Sequence, residues 1–434
     1  MFKSSFGRGL VAAMESADDT PDMDEVIPAA DSAETSLLET AEAGAEVTGT
    51  LDDIESAQTD GDSLGAIAET MEATEETGGL DPVAAQVAEV AVESICTRLG
   101  VQRRKYAMES FGSKDKRVAA TRYAVEEIKD VLKRIWDAIV AAFGKVKEFL
   151  KNFFKALLDS NEKLAQRAAA LTKKATGIKG TPKEDKIPAG GFGKSLAVSG
   201  NFTKAATLTA VKSLPDALSG MVAIIEQKPE FVGQLKELVS DKAKFDGYSL
   251  PAWSFPNMKS VATGENGVGT FASSVKLPGN RSFRVQANSA ALKGQAAFTA
   301  LGGFKADLST AEGKGFDGEQ VEALSAEEIL TLASAVTDLT GAVIATRKTQ
   351  DALDKEITTL QSAATAAGGA APKEDEAGAS ERSRILARAL NVSVQFQIRL
   401  MVVATKYCTD VAKSGLDYAE RSLSNIKEEK AEAK

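Results

Sequence analysis

Apolar residues recur at every third or fourth position over one stretch: Ile128, Leu132, Ile135, Ile139, Phe143, Val146, Leu150, Phe153 and Leu157, with Trp136, Ala142, Phe149 and Phe154 widening the stripe. Only a period near 3.6 keeps such a set on one side, so the spacing predicts a long amphipathic α-helix. Ser160 or Asn161 is placed to interrupt it and cap a continuation to about Thr176. Whatever the chain folds into has to cover that stripe along its length, which calls for other long helices. Lys129, Lys133, Lys145, Lys147, Lys151 and Lys155 hold mostly the opposite side. Three roles suit the helix: packing on a core with the lysines solvated, lying along nucleic-acid phosphate, or entering a membrane interface. Few aromatics or Asn/Gln interleave with the lysines, so base-specific readout is not supported. Core packing is the favoured role, with the six lysines as candidates to face phosphate without sequence preference.

The helix begins beside an abrupt change of charge. Residues 1–109 carry 24 Asp+Glu and 6 Lys+Arg, a net of −18, whereas residues 110–434 carry 38 and 46, a net of +8. Residues 110–180 alone hold 16 basic and 8 acidic side chains, which accounts for the whole positive excess. From Ser16 to Lys105 there is no Phe, Tyr or Trp. An acidic segment with so little to bury is expected to be mostly disordered. A helix is expected from Asp81-Pro82 to Leu99, with Asp81 as N-cap, Pro82 at the first position and Val83, Val87, Val90 and Ile95 marking one face. The arm would mask the basic helix behind it.

Histidine is absent. That removes the usual general base near neutral pH, the usual zinc ligand and every Ser-His or Cys-His nucleophile, so enzyme function is disfavoured and no catalytic residue, metal site or cofactor is expected. Cys96 and Cys408 have no local spacing motif and suit a reducing compartment. The apolar run Gly9–Met14 is too short for a signal-peptide core, and no uninterrupted apolar stretch reaches membrane-spanning length.

The tetrapeptide Ala-Met-Glu-Ser occurs twice, at Ala13–Ser16 and Ala107–Ser110, and Ser-Phe-Gly occurs at Ser5–Gly7 and Ser110–Gly112. Seven Ala-x-Glu triplets occur in all, so the triplet alone carries little; the longer duplicate at a charge boundary carries more. Here the chain resembles the inner-head structural proteins of giant phiKZ-type tailed bacteriophages, in which a prohead protease removes an acidic propeptide after a small-x-Glu motif. The resemblance covers about the first 110 residues and the general plan of an Ala-rich helical body. It implies cleavage at Ala107-Met108-Glu109, before Ser110, with a second match at Ala13-Met14-Glu15. It also implies a virion protein of the head interior, made in the host cytoplasm, with the protease, other head proteins and non-specific viral DNA as partners. A membrane-interacting effector acting through residues 125–157, or a scaffold without a ligand, is the alternative.

Behind the basic segment, residues 179–188 read as a hinge. Gly190-x-x-Gly193-Lys194-Ser195 lacks the spacing of a phosphate loop. Helices are expected at 205–213, 216–226 and 230–244, punctuated by Pro215 and Pro229. Short runs between Gly247 and Ala290, with a hairpin turn at Leu277–Arg281, predict a small antiparallel sheet with Trp253, Phe255, Phe271 and Phe283 in its core. Ser325-Ala326-Glu327-Glu328 is a capping box opening a helix to about Ala364. A flexible loop at 366–379 and a long helix from about Ser380 to Lys427 close the chain, although Val392–Val403 partly alternates as a strand would. The expected class is mainly α with a small antiparallel β-sheet (α+β). Its parts are a disordered acidic arm (1–109), a basic helical segment (110–180), a body (181–365), the loop, and a C-terminal helix (380–434).

Overall fold

The computed structural model describes residues 29–103, 109–178, 181–226, 234–253, 258–264, 267–273, 277–310, 315–369 and 379–426. The class is as expected, long helices with small antiparallel sheets, but the acidic arm departs from expectation. Helix α1 (Ala29–Glu75) and helix α2 (Pro82–Leu99) occupy most of it. The reason lies in spacing. Val47, Leu51, Ile54, Ala57, Gly61, Leu64, Ala68 and Met71 recur by three or four and are buried. Small residues among them let a neighbouring helix close in: a Cβ built on Gly61 would stand 3.6 Å from Ile135 Cγ2. The face is therefore apolar enough to bury without any aromatic ring.

The turn between α1 and α2 is set by Gly79, at φ +80°, where a Cβ would lie 2.6 Å from the Arg117 carbonyl carbon. Leu80 N donates to Thr121 Oγ1 at 2.9 Å. Asp81 caps α2 as its sequence requires, its side chain accepting from Val83 N at 2.8 Å and Ala84 N at 2.9 Å, and Gly100 ends the helix in the left-handed region. Of the face expected on α2 only Ile95 is buried. Ala85, Val92, Ile95, Cys96 and Leu99 are buried, whereas Val83, Val87 and Val90 are 72%, 65% and 64% exposed. Both sets obey helical spacing, so periodicity alone could not choose between them.

A single turn, α3 (Glu109–Gly112), precedes helix α4 (Lys114–Thr176). The basic helix is thus present, and longer than its apolar stripe. It does not break at Ser160 or Asn161. Ser160 Oγ donates back to Ala156 O at 2.8 Å, and Asn161 Nδ2 donates to Leu157 O at 2.8 Å and Thr409 Oγ1 at 2.9 Å. Both side chains donate to carbonyls one turn back, so neither ends the helix.

The rest follows in order: β1 (Lys186–Pro188), α5 (Gly190–Leu196), α6 (Lys204–Glu226), α7 (Leu235–Ser240), α8 (Lys242–Gly247), β2 (Ser249–Leu250), β3 (Met258–Thr263), β4 (Val268–Ser273) and β5 (Arg281–Asn288). Then come β6 (Leu292–Lys293), α9 (Gly294–Leu301), β7 (Lys305–Thr310), β8 (Gln320–Glu322), α10 (Ala326–Ala345), α11 (Arg347–Gly369) and α12 (Ala379–Ser424). The expected hinge is tied down from Thr181 onward: β1 pairs with β8, and Lys183 N donates to Asn425 O at 2.7 Å. Helix α6 runs through Pro215 instead of stopping there, because Val211, Leu214, Leu218 and Met221 pack it on α10 and offset the lost hydrogen bond. Residues 227–233, including Pro229, lie outside the described residues.

The sheet is β3-β4-β5-β7, antiparallel throughout, with the expected turn between β4 and β5 at Pro278–Asn280. Phe283 is buried at 2%, Trp253 packs edge-on against Phe304 and Phe396, Phe271 is half-buried, and Phe255 lies outside the described residues. The capping box forms, but the helix it opens ends at Ala345 and a second, α11, starts at Arg347. Val392–Val403 is helical, within α12. Residues 370–378 of the expected loop lie outside the described residues.

Contacts divide the chain into two units, one drawn from residues 47–148 and 357–388, the other from 27–46, 149–356 and 389–434. In the second, Tyr418 Oη donates to Glu322 O at 2.6 Å while its ring stacks on Phe192, joining α12 to β8 and α5. Among the described residues one helical stretch, Ala326–Thr359, is long and apolar enough to cross a membrane, although the sequence was expected to hold none. Its first half is a core helix: Ile329, Leu332, Val336, Leu339 and Val343 are all at 0% exposure.

Candidate functional site

The junction and the basic helix are the two places that the sequence singles out. Glu109 is exposed and opens the four-residue turn α3, whose Phe111 is 1% exposed. Arg117 Nε donates to Phe111 O at 2.9 Å, so the residues just after Glu109 are anchored to the start of α4. Ser110 is half-buried. Ala107 and Met108 lie outside the described residues, as do Ala13, Met14 and Glu15.

The apolar stripe of α4 is buried. In the first unit Ile128, Val131, Ile135, Ile139, Phe143 and Val146 are at most 2% exposed; in the second, Leu150, Phe153, Phe154 and Leu157 are at most 4%. Val131 takes the inward place expected of Leu132, which is half-buried.

The lysines divide by environment. Lys129 is drawn to the arm: its Nζ is 2.7 Å from Glu72 and 3.7 Å from Glu126. Partial burial opposes its charge, but the Glu72 carboxylate outweighs that and raises its pKa. Lys133 is exposed, Lys145 and Lys147 are half-buried, and Lys147 Nζ donates to Thr358 Oγ1 at 3.4 Å. In the second unit Lys151 and Lys155 are exposed. A row of ammonium groups on one helix can attract phosphate as point charges, without reading bases.

The sequence reading missed the arm's own contribution. Glu75 pairs with Arg122, and Asp62 Oδ2 stands 3.0 Å from Arg388 Nη1. In the second unit, a Cβ on Gly44 of α1 would be 3.5 Å from both Phe153 and Val402, and Thr40 Oγ1 is 3.5 Å from Ser160 Oγ. The spacing of Val47, Leu51, Ile54, Ala57, Gly61, Leu64, Ala68 and Met71 marks a helical face in the sequence, but not whether a partner covers it.

Among the described residues no group of three or more His, Cys, Asp or Glu is placed to hold a metal ion. Cys96 and Cys408 are free thiols and buried. A cavity of about 590 Å³ in the second unit is lined by Gly190, Phe192, Lys413, Asp417 and Arg421. Arg421 there is committed to the Pro188 carbonyl at 3.2 Å, and Arg167 bridges Asp417 and Glu420 at 2.7 and 2.6 Å. Arg421 and Asp417 are thus engaged in holding α12 to β1 and α4.

Compared with known proteins, the chain matches the family model of phiKZ-like phage internal head proteins over residues 33–421, on both sides of the junction. No curated protein and no solved structure matches it. A match over so much of the chain, together with the helical body and the acidic arm, leads to one conclusion: this chain belongs to the phiKZ-like phage internal head proteins.

Proposed function

We propose that this is a non-enzymatic structural protein of the phage head, made in the host cytoplasm, packaged with the genome and matured by a prohead protease. The protease would hydrolyse the Glu109–Ser110 peptide bond, with water supplying the new carboxylate and the new amine. The observation that carries this reading is the placement of Glu109, exposed at a one-turn helix where the net charge changes from −18 to +8.

The other Ala-x-Glu triplets support the choice. A protease needs its substrate extended, and five of these triplets belong to helices far longer than the single turn at Glu109, so more backbone hydrogen bonds must open before they can bind. Ala91–Glu93 lies within α2 with Val92 at 0% exposure, and Ala124–Glu126 within α4 with Ala124 at 0% and Val125 at 2%. Ala73–Glu75 sits in the last turn of α1, where Glu75 holds Arg122. Glu328 of Ala326–Glu328 is locked in the capping box, and Ala379–Glu381 opens α12.

Toward the genome, the exposed lysines Lys133, Lys151 and Lys155, with Lys145 and Lys147, would meet phosphate non-specifically. A bilayer is not favoured, because the apolar side chains it requires are already buried in the fold. N-terminal sequencing of the protein taken from mature heads tests the cleavage. The expected first residue is Ser110, and a chain that still begins at Met1 overturns it.

A further inference from the structure

We propose that α4 is a helix-binding surface whose occupant, after the cut, is the severed arm itself: residues 1–109 stay bound to residues 110–434 as a separate polypeptide. This rests on the reading that the chain is cut after Glu109.

Within the first unit the arm is held in three ways, none of which uses the chain between Gly100 and Glu109. The first is apolar burial. Val47, Leu51, Ile54, Leu64 and Met71 of α1, and Val92 and Ile95 of α2, are at most 6% exposed, as are Ile128, Val131, Ile135 and Ile139 of α4. Gly61 brings the α1 backbone within a methyl's reach of Ile135. The second is backbone docking, in which Gly79 lies against the Arg117 carbonyl and Leu80 N donates to Thr121 Oγ1 at 2.9 Å. The third is charge pairing of Glu72 with Lys129 and of Glu75 with Arg122.

Hydrolysis of the Glu109–Ser110 bond removes one tether and none of this burial. What is lost is the effective concentration that the tether supplied, not the contact surface. The surface fits this occupant because α1 presents Ala57, Gly61 and Ala68 among its larger side chains, so the backbones approach closely. Two consequences follow. The nicked protein keeps its acidic carboxylates over Lys129 and Arg122 and retains a net charge near −10, rather than passing to +8. Departure of the arm then requires a second event, either a cut inside the arm or its unfolding.

The test is made on the full-length chain, with residues 104–108 replaced by the recognition sequence of a site-specific protease. The protein is cut in vitro and passed over a size-exclusion column at about 0.15 M and about 1 M salt, where the screening length falls from roughly 8 to 3 Å. Mass spectrometry then identifies the peptides in each fraction. The expected result is arm and body in one fraction at both salt concentrations, since apolar burial does not weaken with screening. An arm that elutes alone at low salt overturns the proposal. An arm that separates only at high salt also overturns it, by showing that charge and not the buried face holds the two together. Because the cut is engineered, either outcome is independent of whether the phage protease acts after Glu109, which N-terminal sequencing decides separately.

Discussion

Glu72 and Lys129 stand on opposite sides of the junction in sequence and 2.7 Å apart in the fold. The arm therefore lies on the helix it was expected only to shield. Both side chains are nearly half exposed, and the pair is worth at most about 1 kcal/mol. It marks the register of α1 on α4; the buried side chains beside it hold that register.

Removing one of those side chains separates the two effects. Ile54→Ala or Leu64→Ala should destabilise the protein by about 2–5 kcal/mol, since each side chain is at 0% exposure. Glu72→Ala should cost about 1 kcal/mol or less. Urea denaturation of the full chain measures both, and an unchanged midpoint for Ile54→Ala would remove the arm from the folded unit.

Two glycines of the same arm should respond in opposite directions. Gly79→Ala places a methyl against the Arg117 carbonyl at positive φ, where the opposing backbone cannot yield, and should cost more than about 1 kcal/mol. Gly49 lies within α1 with nothing within 4 Å of its Cβ position, so Gly49→Ala should stabilise by roughly 0.5–1 kcal/mol. Thermal melts of the two variants check the contrast.

At the start of α10, partial burial tends to raise the Glu328 pKa. The Ser325 N–H at 2.8 Å and the Lys204 ammonium at 3.1 Å outweigh it and hold the carboxyl below its ordinary value. A depressed folded-state pKa contributes stability above the unfolded value, about 4.3, and loses it as pH falls through the folded one. Glu328→Gln should therefore melt below wild type near neutral pH, and that deficit should shrink in acid. Ser325→Ala removes the other half of the box and should cost about 1 kcal/mol.

Burial pushes the Cys408 thiol up to about 12, and burial also raises that of Cys96. Neither thiolate forms near neutral pH, so neither residue should react with iodoacetamide in the native protein. Both should be alkylated in denaturant. Mass spectrometry of intact labelled protein distinguishes the two states, and fast native labelling of Cys408 would contradict its placement in α12.

If the exposed lysines of α4 meet phosphate, Lys151→Ala and Lys155→Ala should each lower the slope of log affinity against log salt by about 1 on double-stranded DNA. The effect should be the same for any sequence. Unchanged slopes would assign these lysines to solvent alone.

Much of the fold was legible because its causes are local. Asp81, Pro82 and Gly100 bound α2, and Ser325 with Glu328 opens α10, since each satisfies backbone groups within a few residues. The α4 stripe was legible because large side chains repeat at one period. Pro215 was misleading, because the burial of Leu214 and Leu218 that carries α6 past it comes from α10, more than a hundred residues away.

By itself the sequence determined the helix periods, the caps, the hairpin and the partition of charge at Glu109. Tertiary structure decided which of the two apolar faces of α2 turns inward, and whether the acidic arm folds at all. Neither could be read locally, because small side chains such as Ala57 and Ala68 bury favourably only when a second helix is close enough to touch them. That partner, α4, lies beyond the junction.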